Sequence, residues 1–166
     1  KVPMEEYLKG VLPYEIGVLK EWGTEALKAQ AIAARTYTYK NLSPNKSFDL
    51  YADTRDQVYN GIKSEYPLSN QAIQATSGLV LTHKDSLINA YYHSTSAGFL
   101  ASKHEVWGGV KEPYLLSHKD LNSYGKPWSY RSKYSSWKKT YSWSKVTQLF
   151  KKNAKKSRYT PAISFN

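Results

Sequence analysis

The chain has 166 residues, contains no cysteine and carries a formal net charge of +11. This length gives room for one domain with a hydrophobic core and a small appendage, and argues against several domains. The absence of cysteine excludes disulfides, thiolate-bound zinc and a cysteine nucleophile. No apolar run approaches the roughly 20 residues that cross a bilayer, and no signal peptide pattern is present. We therefore expect a soluble domain, or one cut free of its anchor.

The positive charge is confined to the C-terminal part of the sequence. Residues 1–120 contain all 13 acidic residues and 13 of the 24 Lys and Arg, whereas residues 121–166 contain 11 basic residues and no acid. Three of the five Trp lie in this second region as well. Aromatic rings between cations can stack on bases or sugar rings while the cations neutralise an anionic polymer. The alternative interpretation is a solvated basic face around a small aromatic core.

Two helices are predicted at the start of the chain. Pro3, followed by acidic residues in the first turn, begins a first helix with an apolar stripe, and Pro13 ends it. Thr24 is a good N-cap for a second helix that runs to about Leu42. The interior of this second helix is nearly all alanine, leucine and isoleucine, which predicts that it is buried on most sides.

A shorter helix and a hairpin are predicted next. Ser69 or Asn70 is expected to cap the helix, and Gly78 to stop it. Residues 79–92 then form two apolar, β-prone runs around a polar turn, which favours a hairpin. This hairpin leads directly into residues 91–98, "YYHSTSAG".

The basic region is predicted to hold one more helix and a strand. The helix starts near Ser144 and has Val146, Leu149 and Phe150 as its buried face. Residues 160–166 resemble a strand whose partner lies outside this sequence. The best candidate boundary between the two regions is residues 121–127.

Lys28 and Arg35 are the cations of the alanine-rich stretch. They are seven positions apart, so they project within about 20° of each other on a helix. Two aligned cations on an apolar helix favour a stripe that lines a cleft, where Arg35 suits a bidentate carboxylate contact and Lys28 a point-charge contact. The alternative is that both side chains reach past the core to water.

Glu15 is a candidate general acid. It follows a proline and lies between Tyr14 and Ile16. Apolar surroundings disfavour the charged form of a carboxyl group and raise its pKa, as an acid working near neutral pH requires. A solvated loop glutamate is the alternative.

The segment "YYHSTSAG" permits several interpretations. A serine hydrolase is disfavoured, because His93 and Ser94 are adjacent and point to opposite faces of an extended chain, and because no Gly-x-Ser-x-Gly elbow is present. A zinc site drawing on His93, His104 and Glu105 matches no strong metal motif. A loop that binds sugar hydroxyls and a polar turn that caps its own backbone both remain open.

Five segments resemble, in chain order, the stage II sporulation protein D family, whose domain is shared with the amidase enhancer proteins. The resemblance covers residues 3–120, and a "W…S…LF" pattern between Trp137 and Phe150 is similar to its continuation. The segments are "MEEYLKGVLPYEIG", "EALKAQAIAARTYTY", "DTRDQVYNG", "AIQATSGLVLTHKDSLINAYYHSTSAG" and "EVWGGVKEPYL".

The resemblance implies a lytic transglycosylase that cleaves the MurNAc–GlcNAc bond of peptidoglycan strands already stripped of their stem peptides. It implies that Glu15 is the catalytic acid and base. The residues that it implies in substrate binding are Lys28, Arg35, His93, Ser94 and Ser96, with Tyr59 and Tyr114 as further neighbours. The alternative is a non-catalytic glycan-binding module that stimulates a cell-wall amidase.

Some members of the family are similar to zinc proteins with a histidine at the position of His93 and cysteines after it. The matching positions here are Phe99 and Glu105, neither of which supplies a thiolate, so we expect no metal and no other cofactor. The expected partners are glycan strands, a cell-wall amidase and the engulfment machinery, with no nucleic acid. A membrane is expected only through an anchor outside this sequence, and the location is expected to be extracytoplasmic, on the cell-wall side.

The expected fold is a mixed α+β domain of helices and antiparallel strands around the alanine-rich helix. Residues 1–120 are predicted to form the catalytic core, with Glu15 and the loop of residues 93–98 facing one groove. Residues 121–166 are predicted to form a smaller basic, aromatic-rich lobe that this sequence does not complete.

Overall fold

The computed structural model describes residues 1–43 and 47–154, with side chains up to residue 151. These residues form a mixed α+β fold of helices and short antiparallel strands. The helices are α1 (Met4–Glu15), α2 (Thr24–Asn41), α3 (Pro67–Ala75), α4 (Lys103–Trp107) and α5 (Trp143–Ala154). The strands are β1 (Thr82–His83), β2 (Ser86–Leu87), β3 (Phe99–Leu100) and β4 (His118–Lys119). None of the helices in these ranges is long and apolar enough to span a membrane.

The hydrophobic core lies between α1, α2 and α3, and α2 packs against both of the others. Its small side chains allow close approach, since alanine adds only one carbon to the backbone surface. The central position of α2 confirms the prediction that the domain is built around the alanine-rich helix. The fully or almost fully buried core residues are Leu8, Leu12, Leu27, Ala31, Ala34, Ala72 and Ile73.

The first helix continues through Pro13, so the prediction that this proline ends the helix is wrong. A proline removes one N–H from the ladder, but the next turn still closes, because the Ile16 N–H donates to the Leu12 carbonyl at 3.1 Å. Glu15 is therefore the last residue of a packed helix and does not lie in a loop.

Two predicted helix caps are also wrong. Thr24 is the first residue of α2, and its hydroxyl donates to the Glu21 carbonyl instead of accepting from the helix. In α3 the first position is occupied by Pro67, whose fixed φ suits a helix start, so Ser69 and Asn70 lie inside the helix. The predicted end of α2 is confirmed, since Leu42 is its C-cap.

The predicted hairpin is confirmed. Strands β1 and β2 pair antiparallel, with Thr82 opposite Leu87 and His83 opposite Ser86. The two turn residues, Lys84 and Asp85, both have positive φ, at 49° and 59°. This is the backbone of a type I′ turn, whose twist matches that of the strands.

The second pair of strands, β3 and β4, joins the segment after residue 98 to the segment before residue 120. Beyond it, residues 121–142 form turns, with a single bridge between Leu121 and Pro127. Helix α5 begins at Trp143, one residue before the predicted start.

The prediction that Val146, Leu149 and Phe150 form a buried face of α5 is wrong for the described residues. Leu149 is 37% exposed and Phe150 is 58% exposed, while Val146 is partly exposed. No element within residues 1–43 and 47–151 covers this apolar stripe. The strand predicted at residues 160–166 lies outside the described residues.

Candidate active site

Glu15 lies in a groove with the residues of the segment that follows the hairpin. The groove has a volume of about 550 Å³. It brings the C-terminal end of α1 next to residues 92–94, which are distant in sequence. The residues that line it are Tyr14, Glu15, Ile16, Gln30, Tyr92, His93 and Ser94.

The carboxylate of Glu15 is held through one of its oxygens. The Val58 backbone N–H donates to Glu15 Oε1 at 2.9 Å, and the Glu15 residue is partly buried. A carboxylate fixed by one oxygen keeps the other for exchanging a proton with a bound molecule. A rigid helix end and a backbone donor together give Glu15 the fixed position that general acid catalysis requires.

The segment that supplies this donor is itself fixed by Gln57, which is fully buried. Its Nε2 donates to the Tyr92 hydroxyl at 3.0 Å and to the Ala34 carbonyl at 3.3 Å. Its Oε1 accepts from the Thr38 hydroxyl at 2.7 Å and from the Tyr7 hydroxyl at 3.2 Å. Both donors and both acceptor positions of the amide are therefore used, as burial demands.

Gln57 thus connects three parts of the molecule that meet at the groove. Tyr7 belongs to α1, Ala34 and Thr38 belong to α2, and Tyr92 belongs to the groove wall beside His93. Since Gln57 immediately precedes Val58, the same segment orients both Glu15 and Tyr92. Sequence reasoning missed Gln57, although it lies within "DTRDQVYNG", one of the five segments that resemble the family.

The phenols around this network keep their protons at neutral pH. Burial, together with the nearby negative charge of Glu15, raises the pKa of Tyr7 and of Tyr92. Burial also raises the pKa of Tyr37 to about 12, together with the charge of Asp56, whose carboxylate accepts a hydrogen bond from the Tyr37 hydroxyl at 3.2 Å. The protonated hydroxyls of Tyr7 and Tyr37 therefore donate to Gln57 and Asp56, whereas the Tyr92 hydroxyl accepts from Gln57.

The loop of residues 93–98 presents some side chains to the groove and uses others to hold its shape. His93 and Ser94 are exposed and line the groove. Ser96 is only 8% exposed, and its hydroxyl donates to the Asp120 carboxylate and accepts from the Gly98 N–H at 3.3 Å. Its hydroxyl is therefore committed to loop structure, although Ser96 also lines a neighbouring groove.

Residues 129 and 132 of the predicted basic lobe lie directly against this loop. The hydroxyls of Thr95 and Ser132 are hydrogen-bonded at 2.9 Å, and the Ser129 hydroxyl donates to the Ser96 carbonyl. Gly98 has a φ of +89°, and a Cβ there would lie 2.8 Å from the Leu121 side chain, so a larger residue would push the lobe away. The loop geometry therefore depends on residues 121–132.

The structure places Arg35 in the core and away from the groove. Its side chain is fully buried and forms a bidentate ion pair with Glu5, at 2.9 Å from Nε and 2.7 Å from Nη2. Its Nη1 also donates to the Leu79 carbonyl at 3.0 Å. All of these partners belong to the protein, so the expectation that Arg35 holds substrate does not fit its surroundings.

The remaining predicted residues do not line this groove. Lys28 is partly exposed and pairs with Glu25 at 2.7 Å on the surface of α2. Tyr59 stacks on Tyr7 with ring centroids 5.2 Å apart, against α1. Tyr114 lies in an adjoining groove that also contains His93, with its ring 5.4 Å from that of His83.

Gln30 is a groove residue that sequence reasoning missed. Its Nε2 is buried and has no hydrogen-bond partner in the described part of the chain. A buried donor without a partner is costly, so this amide requires a partner other than the described residues, such as a water molecule or a bound ligand. No signal in the pattern of α2 distinguished Gln30 from an ordinary polar helix residue.

Among the described residues, no group of three His, Asp or Glu side chains is placed to hold a metal ion. The expectation that the site works without a metal stays a prediction.

Comparison with known proteins identifies relatives of this chain. A family model described as Stage II sporulation protein, SpoIID, matches residues 1–83. The chain is 42% identical over 114 residues to the amidase enhancer of Bacillus subtilis, covering 68% of this chain and 15% of that protein. It is 31% identical over 150 residues to stage II sporulation protein D of the same species, covering 79% of this chain and 40% of that protein.

A further relative is an uncharacterized protein of Brachyspira hyodysenteriae, which is 37% identical over 131 residues, covering 76% of this chain and 35% of that protein. The chain therefore spans well under half the length of these relatives. The family match covers half of the chain and includes Glu15 and the three helices of the core. The chain belongs to the stage II sporulation protein D family.

Proposed function

We propose that this domain is a lytic transglycosylase of the bacterial cell wall, which cleaves the MurNAc–GlcNAc bond of glycan strands without stem peptides. The observation that carries the proposal is the groove in which a fixed glutamate, Glu15, faces imidazole, hydroxyl and amide groups. Glu15 is also the one acidic residue among the described residues that line this groove. A single carboxylate in a polar groove suits one particular kind of glycosidic cleavage.

Hydrolysis of a glycosidic bond ordinarily uses two carboxylates, one as acid and one as nucleophile or base. One carboxylate is enough when the attacking group is the 6-hydroxyl of the same sugar, because no water has to be activated. Glu15 first donates its proton to the departing oxygen of GlcNAc as the bond from C1 of MurNAc breaks. The 6-hydroxyl oxygen then bonds to C1, and its proton passes to the Glu15 carboxylate, which leaves a 1,6-anhydro-MurNAc end.

The other residues of the groove bind and orient the sugar. His93 and Ser94 offer an imidazole and a hydroxyl to sugar hydroxyl and acetamido groups, and the buried amide of Gln30 lies in the wall of the groove. Ser94 hydrogen-bonds to the Thr95 hydroxyl at 3.4 Å, which supports a binding role for it and not that of an activated nucleophile. Ser96 contributes indirectly, by fixing the loop.

Electrostatic attraction supports a preference for denuded strands. Removal of stem peptides by an amidase exposes the lactyl carboxylate of each MurNAc, which makes the strand anionic. Residues 121–151 contain seven basic residues and no acid, and within them Ser129 and Ser132 contact the loop that follows His93. Lys28 remains the candidate for a direct contact with a lactyl carboxylate, since Arg35 is committed to Glu5.

This function implies an extracytoplasmic location on the cell-wall side of the membrane. It also implies a cell-wall amidase that acts on the strand first. The engulfment step of sporulation is the setting that the relatives named stage II sporulation protein D suggest.

Mass spectrometry of amidase-denuded strands tests the proposal. The unmodified protein is expected to produce 1,6-anhydro ends, and Glu15→Gln is expected to produce none while still binding strands. Glu21→Gln is the matched control, because Glu21 is exposed and lies outside the groove. Anhydro ends that persist in Glu15→Gln would contradict the assignment of Glu15 as the acid.

A second candidate function is a non-catalytic glycan-binding module that stimulates a cell-wall amidase. The 42% identity to a protein named amidase enhancer favours it. In that case the unmodified protein releases no anhydro ends, but it accelerates peptide release by an added amidase, and substitutions at His93 or Gln30 reduce the acceleration.

A further inference from the structure

The groove around Glu15 does not end at His93. A second groove of about 420 Å³ and a third of about 150 Å³ both include His93 in their walls. His93 is thus the wall shared by all three. A polymer with one unit bound at Glu15 can therefore extend into the two grooves on the far side of His93.

The second and third grooves share an aromatic wall made by Tyr91 and Trp107. Their rings lie 5.2 Å apart and are tilted by 44°. Trp107 is 67% exposed, which leaves a large apolar surface in water at the end of α4. Large exposed rings of this kind within a groove are characteristic of binding sites.

The aromatic wall is held rigidly. Ser102 and Glu105 form a capping box at the start of α4, and the Ser102 hydroxyl also accepts from the Ser117 N–H at 2.8 Å. Lys103 forms an ion pair with Glu112 at 2.9 Å, which ties α4 to the segment after it.

Glu112 links this assembly back to the end of the hairpin, because both of its oxygens accept from Asn89 at 3.0 Å. The wall is therefore formed before any ligand arrives, which lowers the cost of binding.

Polar groups surround the aromatic wall. His93, Lys103, Tyr114 and His118 line the same small groove. A hexose ring has apolar C–H faces and a rim of hydroxyl groups. An exposed indole beside imidazole, ammonium and phenol groups matches both parts of such a ring.

We propose that Tyr91 and Trp107 form a stacking subsite for a sugar unit next to the pair of units whose bond meets Glu15. The inference rests on the proposed glycan substrate, and it adds that the protein binds a stretch longer than a disaccharide. The aromatic wall then makes binding affinity depend on strand length, while Glu15 determines which bond is broken.

Calorimetric titration with glycan oligomers of defined length tests this subsite. For the unmodified protein, affinity is expected to rise steeply from the disaccharide to the hexasaccharide. Trp107→Ala is expected to lower hexasaccharide affinity about ten-fold, because it removes one stacking contact. It is expected to leave disaccharide affinity unchanged. Trp107→Phe is expected to recover part of the loss. Trp22→Ala is the matched control, because Trp22 is 79% exposed and lies outside the three grooves.

Equal affinity of Trp107→Ala and the unmodified protein at every length would overturn the subsite, as would unmodified protein that binds no oligomer. Circular dichroism on each variant excludes loss of folding as the cause. Anhydro ends are measured separately on the same samples. Length-dependent binding through Trp107 without anhydro ends would refute the transglycosylase and leave the subsite in place, whereas anhydro ends without a Trp107 effect would do the reverse.

Discussion

The three-helix core and the predicted basic lobe, as far as its described residues 121–151 extend, are stabilised in opposite ways. In the core, even charged and polar side chains such as Arg35 and Gln57 are fully buried, and each is hydrogen-bonded on every side. In the lobe, most large side chains are exposed, and cations lie over neighbouring tyrosine rings, as Arg131 and Lys126 do over Tyr130. Buried polar groups gain strength from low dielectric, whereas exposed pairs contribute little to stability. The packed core therefore fixes the position of Glu15, whereas the lobe exposes its positive charges to solvent.

The largest expected effect is the loss of the core ion pair. Arg35→Met removes both hydrogen bonds from Arg35 to the Glu5 carboxylate and the one to the Leu79 carbonyl, and leaves Glu5 only a long contact with the Gly78 N–H. We expect it to lower the free energy of unfolding by about 3 kcal/mol, near the lower end for a broken buried pair because Glu5 is partly exposed. Urea denaturation measures the change. The control Arg55→Met removes an exposed pair with Asp53 and should cost under about 1 kcal/mol. Equal effects of the two substitutions would mean that burial does not distinguish them.

The next largest effect concerns the amide network beneath the site. Gln57→Leu keeps the volume but leaves the hydroxyls of Tyr7, Thr38 and Tyr92 without their amide partner. We expect a loss of about 2 kcal/mol of stability, from the cost of unpaired buried groups. If Gln57 also positions Glu15, formation of anhydro ends falls by more than the loss of folded protein explains. A loss of activity proportional to the unfolded fraction would restrict Gln57 to a structural role.

A smaller, pH-dependent effect is expected at Glu112, in the part of the chain between the two regions. Hydrogen bonds from Tyr114, Lys103 and Asn89 lower the pKa of Glu112 from 4.5 to about 2. Since the folded state binds this proton less tightly than the unfolded state, the stabilisation is present above pH 4.5 and is lost as the pH falls towards 2. Thermal unfolding from pH 7 to 3 should therefore show a shallower loss in Glu112→Gln than in the unmodified protein. If the two proteins lost thermal stability in parallel as the pH falls, the stabilising role of the Glu112 carboxylate would be contradicted.

The smallest effect on stability is expected in the lobe. Combined substitution of Lys126, Arg131 and Lys133 by Gln should change the free energy of unfolding by no more than about 0.5 kcal/mol. Binding to denuded strands should weaken and become less dependent on salt, because exposed cations act through a screened field. Titration at two salt concentrations measures this. If the salt dependence of binding did not change, these cations of the lobe would have no part in strand binding.

Local sequence rules predicted the helices and the hairpin well, and they failed where packing against distant residues decided the outcome. The hairpin followed from two β-prone runs around a polar turn, and Lys84 and Asp85 indeed adopt the left-handed backbone. The stop at Pro13 failed because a helix packed on the core can continue past one missing hydrogen bond. The buried face of α5 failed because periodicity shows that a stripe is apolar but not what covers it.

The candidate site was predictable in part. Glu15 and His93 were selected from the sequence, and the structure places both in one groove. Gln57 and Gln30 were missed, because neither the loop that holds Gln57 nor the polar positions of α2 indicate which polar side chain becomes buried. Both positions depend on contacts between segments that are far apart in the chain.

The sequence by itself determined the central alanine-rich helix, the hairpin and the segregation of positive charge, because these follow from composition and local period. Only the tertiary structure decided the roles of Lys28 and Arg35, which share one stripe of α2. The helical period fixes the direction in which a side chain projects, but it does not determine which residues that side chain meets. Arg35 meets Glu5 of α1 and is fully buried, whereas Lys28, two turns earlier, meets only the surface residue Glu25 among the described residues. The same long-range packing joined Glu15 to His93, because it closed the groove between segments that no local rule connects.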